Sequence, residues 1–172
     1  MAKNEILARI DNNPIIFCET NHAFCWNLIS QFQKQLQELI NQIPEWVEKL
    51  QDESENTNEK QIIYELGHRS IKDGKISLHH DDVITLTIKL LDIAKFRQII
   101  IERYPIILID EYQDTDKDWI NAIKNHFLDN ETSPQFGFFG DHWQKIYGNG
   151  CGLIEHKNIT EIEKQVNFRS NH

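Results

Sequence analysis

Ile106-Ile107-Leu108-Ile109-Asp110-Glu111-Tyr112-Gln113-Asp114-Thr115 decides how this chain reads. Four consecutive aliphatic residues predict a short strand buried on both faces. Such a strand cannot hold charge in its interior, so Asp110 and Glu111 must emerge at its carboxyl end. That edge is where open α/β sheets bind ligands. Paired acids there suit a divalent cation and a water that has to lose a proton. A helix cap accounts for part of the acidity, because Asp114, Thr115 and Asp116 can all cap the element that follows. Capping needs neither Asp110 nor Glu111.

A second segment of the same kind lies downstream. Residues 135–139 predict another strand, which ends at Gly140-Asp141-His142-Trp143-Gln144-Lys145-Ile146-Tyr147-Gly148. Gly140 allows the backbone to turn close to a ligand. Gln144 can donate and accept hydrogen bonds, and so can register a phosphate or an attacking water. Tyr147 can stack on a base. Trp143 is read as core or interface at least as readily as ligand contact. Between the two strands, Trp119, Ile120, Ile123 and Phe127 mark one face of a helix.

Upstream, residues 1–13 predict a short helix or arm and residues 14–20 a buried strand. From Phe24 to Leu50 the apolar residues keep helical spacing, with Pro44 breaking or restarting the helix. Residues 51–60 predict a loop, residues 62–66 a strand or a short helix, and Lys72-Asp73-Gly74-Lys75 a turn. His79-His80-Asp81-Asp82 leads into a helix that ends near residues 97–103. Residues 159–168 predict a helical turn or a strand. Strands alternating with helices give an α/β class with a parallel sheet.

Bulk properties narrow the choice. The 172 residues suffice for one domain with a core. Hydrophobic residues make up 40% and charged residues 26%, as in ordinary globular chains. A formal net charge of −9 leaves no global basic field, so nucleic-acid contact must use a local patch. Cys18, Cys25 and Cys151 show no CxxC spacing, and an odd count suits a reducing cytoplasm. No apolar run approaches membrane-spanning length, and the start lacks a secretory pattern.

The motifs carry a specific resemblance. Asp110-Glu111-Tyr112-Gln113-Asp114-Thr115 resembles motif II of the UvrD/Rep-type superfamily 1 DNA helicases. Residues 140–147 resemble motif III, where Gln-Ser-Ile-Tyr is more usual than Gln-Lys-Ile-Tyr. Asn167-Phe168-Arg169-Ser170 resembles motif IV. Thr20-Asn21-His22-Ala23-Phe24 is similar to the early Thr-x-His-x-Phe DNA-contact motif, and His80-Asp81-Asp82 to the segment leading into motif II. The four numbered and early motifs follow the family's order.

What the resemblance implies is a partial P-loop NTPase (RecA-like) parallel sheet with an inserted helical subdomain. The expected division is residues 1–22 for the early part of the first motor domain, 23–100 for the insertion and 101–172 for the later part. Asp110 would help coordinate Mg²⁺ and, with Gln113 and Asp141, serve the ATP site. Glu111 would activate the attacking water and Arg169 would contact the γ-phosphate, with Gln144 counted beside them as catalytic. Gln113 and Gln144 would link the nucleotide to the DNA surface. Thr20, His22 and Tyr147 would lie along single-stranded DNA. The implied activity is that of a cytoplasmic 3'-5' helicase of DNA repair type.

Departures from the pattern are as informative. No GxxxxGK[ST] occurs in the 172 residues. The family's frequent base-stacking Trp falls here on Asn149. A fragment inactive by itself is therefore expected, completed by missing helicase segments or a partner protein. The alternative is a non-enzymatic DNA- or partner-binding module. A metal-dependent hydrolase using His80 and Asp81 ranks below both. Simple capping by Thr20 or Asn21, and a solvated Arg169, compete with the functional roles of those residues.

Overall fold

The computed structural model describes residues 2–9, 11, 13, 15–52, 60–65, 68–146 and 148–163. It divides into two compact units, Met1–Pro105 and Ile106–His172.

In the first unit, α1 (Ala2–Arg9) precedes three short helices, α2 (Asn21–Ile29), α3 (Gln33–Ile40) and α4 (Pro44–Asp52). The long apolar periodicity is thus cut twice. Pro44 opens α4, where its missing N–H costs nothing. The other break, at Ser30 to Phe32, has a tertiary cause. The Gln33 side chain donates to the carbonyls of Ser30 (2.7 Å) and Ile62 (3.0 Å) and accepts from the Ile62 N–H (2.8 Å). It therefore joins this break to β1 (Gln61–Tyr64).

β1 pairs in parallel with β3 (Lys75–Leu78), and β3 pairs antiparallel with β2 (Ser70–Lys72). The β2–β3 hairpin turns on Asp73 (φ 52) and Gly74 (φ 70), the left-handed pair that a two-residue turn requires. Two further helices follow, α5 (His80–Leu91) and α6 (Ala94–Arg103). The core of the unit includes Cys25, Leu36, Ile40, Trp46, Ile76, Leu86 and Leu90, all at zero exposure.

The expected buried strand at residues 14–20 is not found. Residues 16–20 lie outside any strand, and Ile15 is 89% exposed. A strand-like composition needs a ladder partner, and none pairs with this stretch among the described residues.

The second unit is a β-α-β arrangement. β4 (Ile106–Asp110) pairs in parallel with β5 (Gln135–Phe139), Ile106 opposite Gln135 and Asp110 opposite Phe139. Between them run α7 (Lys117–Ile123) and a wider π-type turn, Lys124–Leu128. Trp119, Ile120, Ile123 and Phe127 are all buried, on the face that their spacing predicts.

The strand β4 is correctly placed, but it is not buried on both faces. Ile109 is 6% exposed, whereas Leu108 is 65% and Ile106 60% exposed. Side chains alternate across a strand. One face packs toward the helical side, where Phe136 lies 5.8 Å from Phe127. The other, with Ile106, Leu108 and Phe139, is open. A two-stranded sheet with helical cover on one side leaves that result.

Candidate functional site

The site forms where both strands of the second unit end. Parallel pairing puts Asp110 opposite Phe139, so the loops that follow, 111–115 and 140–146, leave the sheet side by side. Asp110 is exposed, and its Oδ1 accepts the N–H of Glu111 at 3.1 Å. Glu111 has φ 49 and ψ 44, the left-handed region, at a cost of about 1–2 kcal/mol for a residue with a Cβ. The chain then tightens into a single turn, Tyr112–Asp114.

Gln113 lies at the centre, 1% exposed. Its Nε2 donates to Glu111 Oε2 at 2.7 Å, and its Oε1 accepts the Asp141 N–H at 3.2 Å. Asp141 in turn caps the short turn His142–Gln144. Its Oδ1 accepts the Trp143 N–H at 3.0 Å, and its Oδ2 accepts from Gln144 Nε2 at 3.1 Å. A second tie runs alongside, from the Ile146 N–H to Asp114 Oδ1 at 2.9 Å. Glu111, Gln113, Asp141 and Gln144 are therefore one hydrogen-bonded series across the two loops.

Residues 149–152 lie along the first loop. Lys117 N–H donates to the Asn149 carbonyl (3.1 Å), Cys151 N–H to Thr115 (2.8 Å) and Gly152 N–H to Gln113 (3.1 Å). The Cys151 thiol donates to the Tyr112 carbonyl at 3.0 Å, and burial pushes its pKa up. Sequence reasoning missed this backbone ladder, since main-chain pairing of a glycine-rich stretch leaves no side-chain signature.

The N-terminal candidates are in the first unit. Thr20 caps α2, its Oγ1 accepting the Ala23 N–H at 3.3 Å. His22 is half-buried, its ring 5.0 Å from that of His80. His80 Nδ1 hydrogen-bonds the Tyr64 hydroxyl. Asp82 is 1% exposed and fully engaged. It binds Arg69 (2.6 Å to Nη2), the Trp46 indole N–H (3.0 Å) and the His79 N–H (2.9 Å). Its capping of α5 leaves it no capacity for a metal. Among the described residues, no group of three His, Cys, Asp or Glu side chains is arranged to hold a metal ion. Tyr147 and Arg169 lie outside the described residues.

The donor set at β4 is all oxygen, which suits Mg²⁺ rather than a softer metal. Mg²⁺ commonly takes one or two carboxylates, with waters and substrate phosphates completing its shell. Asp110, exposed at the carboxyl edge, fits that pattern.

Comparison with known proteins agrees with these motifs. The UvrD/REP helicase N-terminal domain matches residues 2–167. The chain belongs to that family. It is also similar to the Gabija protein GajB of Bacillus cereus (strain HuB5-5), with 35% identity over 105 residues. That match covers 56% of this chain and 15% of the relative, so the chain spans only a small part of it. No solved structure matches. Family membership makes the chain helicase-derived and UvrD-like, from a family that generally uses ATP and Mg²⁺. Among the described residues, no helix is long and apolar enough to cross a membrane.

Proposed function

We propose that this chain is the later portion of a RecA-like first motor domain, with its inserted helical subdomain, from an ATP-dependent 3'-5' DNA helicase. The domain would be divided at residues 22 and 100 as the motif order suggests. The observation that carries the reading is the series Glu111–Gln113–Asp141–Gln144 at the carboxyl end of two parallel strands.

In this reading Asp110 holds Mg²⁺, which supplies charge neutralisation for the phosphates when bound. Glu111 takes the proton of the attacking water. Gln144 registers the γ-phosphate side of the site, and Gln113 joins the two. Arg169 is assigned to the developing phosphate charge, and Thr20, His22 and Tyr147 to single-stranded DNA. No residue among the 172 supplies a GxxxxGK[ST] cradle. The chain by itself is therefore assigned no turnover.

The test is ATP hydrolysis with single-stranded DNA, on this chain and on a version extended upstream through a phosphate-binding loop. The expected result is none in the first and turnover in the second. There, Glu111→Gln should reduce kcat by about 100-fold or more. Turnover by the 172 residues, or an unaffected Glu111→Gln, overturns the assignment. A second reading, a non-enzymatic binding module, draws on Trp143 (86% exposed) and Ile146 (81%), both presented beside the site. It predicts DNA or partner binding that ignores ATP.

A further inference from the structure

The sequence assigns Gly140 to close approach of a ligand. In the structure the space beside it is taken by the protein itself. A methyl group at position 140 would collide with Gln113 Oε1, and would also meet Tyr112 Cδ1 at 3.1 Å and Tyr112 N at 3.2 Å. Gly140 has φ 155, a conformation that side-chain-bearing residues rarely adopt.

We propose that Gly140 is a positioning residue, its missing side chain opening the slot through which the Gln113 carboxamide reaches both Glu111 and Asp141. This rests on Glu111 being the working carboxylate of the proposed helicase site.

The geometry leaves the carboxamide one orientation. Its NH₂ faces the Glu111 carboxylate, an acceptor, and its oxygen faces the Asp141 N–H, a donor. Turning the amide over would set acceptor against acceptor and donor against donor, so both bonds would fail together. Retreat is equally restricted. Gln113 is buried, its own carbonyl is tied to the Gly152 N–H, and the Tyr112 backbone lies beside the slot. A methyl at position 140 must therefore displace the carboxamide and release Glu111. A carboxylate on a strained, left-handed residue then loses the bond that aims it.

The experiment uses the 172-residue chain, labelled with ¹⁵N, and reads side-chain and backbone amides by NMR. Gln113 carboxamide protons should be protected from exchange, and their resonance should move in Glu111→Gln. In Gly140→Ala, protection should be lost at the Gln113 carboxamide and the Asp141 N–H, while the β4–β5 ladder keeps its own. Persistence of the Gln113 protection in Gly140→Ala, or indifference of its resonance to Glu111→Gln, overturns the inference.

Should Gly140→Ala fail to fold, Gln113→Ala alone decides. It removes the carboxamide and leaves the φ 155 turn and its Tyr112 neighbours as they are, so the chain should fold with the Asp141 N–H exchanging freely, and continued protection of that N–H counts against the proposal. In the upstream-extended protein, Gly140→Ala should lower kcat by on the order of 10- to 100-fold with KM for ATP little changed. If Glu111→Gln abolishes turnover there and Gly140→Ala does not touch it, the positioning role is refuted and the helicase reading survives. If Glu111→Gln leaves turnover intact, the helicase reading fails whatever the amides show.

Discussion

Each unit buries a polar side chain that makes several hydrogen bonds, but to different ends. In the first unit Asp82 joins Arg69, Trp46 and the start of α5 within a closed core. In the second, Gln113 joins two loops at an open sheet edge. Asp82 is charged, paired with a cation and shut off from solvent. The Asp82 hydrogen bond raises the Arg69 pKa above its ordinary value. Gln113 is neutral, and its partners Glu111 and Asp141 reach solvent-facing loops. The charge pair fastens elements within one core, whereas the amide fastens two loops at a sheet edge.

That contrast can be broken by mutation. Asp82→Ala leaves Arg69 and the Trp46 N–H without their shared partner and should cost about 3 kcal/mol. The check is urea unfolding, with a lowered midpoint at unchanged slope. Gln113→Ala should cost less, about 2 kcal/mol, since one backbone N–H and one carboxylate lose a partner. If the two costs come out reversed, the contrast between core and sheet edge is wrong. Thr20→Ala should cost about 1 kcal/mol, the usual loss of a helix N-cap. A larger loss of DNA binding than of stability would favour the DNA-contact role of Thr20 beside its cap.

Smaller effects sharpen the picture. Leu108→Lys should change stability by less than about 0.5 kcal/mol, because the residue already faces solvent. Improved solubility without lost stability is the matching observation. Asp129 accepts from Lys157 (3.1 Å) and His156 (3.3 Å), and the Lys157 hydrogen bond, first among the causes, holds its carboxyl below the ordinary range. A depressed acid contributes fully above its unfolded pKa and loses its contribution as pH falls through the folded one. Asp129→Asn should therefore remove a small part of the stability at neutral pH and make no difference in strong acid. Unfolding midpoints measured across the acid range would test this.

Local patterns reached the sheet edge and the helix between its strands. Ile106 to Asp110 reads as a strand ending in acid because its aliphatic run stops at a charge, and Trp119 to Phe127 reads as a helix by its period. What the pattern could not carry was partnership. Residues 14–20 look like a strand but have no ladder to join among the described residues. The break before Gln33 depends on Ile62, 29 positions away. The exposed face of β4 reflects a sheet whose helical cover lies on the other face, which an aliphatic run cannot announce. The ties between Gln113 and Asp141 span 28 residues and rest on a glycine whose meaning is spatial.

The pairing of residues 149–152 with the first acidic loop uses peptide groups and the Cys151 thiol. Position 149 is thereby fixed in space whatever side chain it bears, and its Asn side chain is exposed. Evolution can exchange that residue, even for a flat aromatic, without unfastening the loop beneath it. Here the main chain is the rail and the side chain the removable fitting.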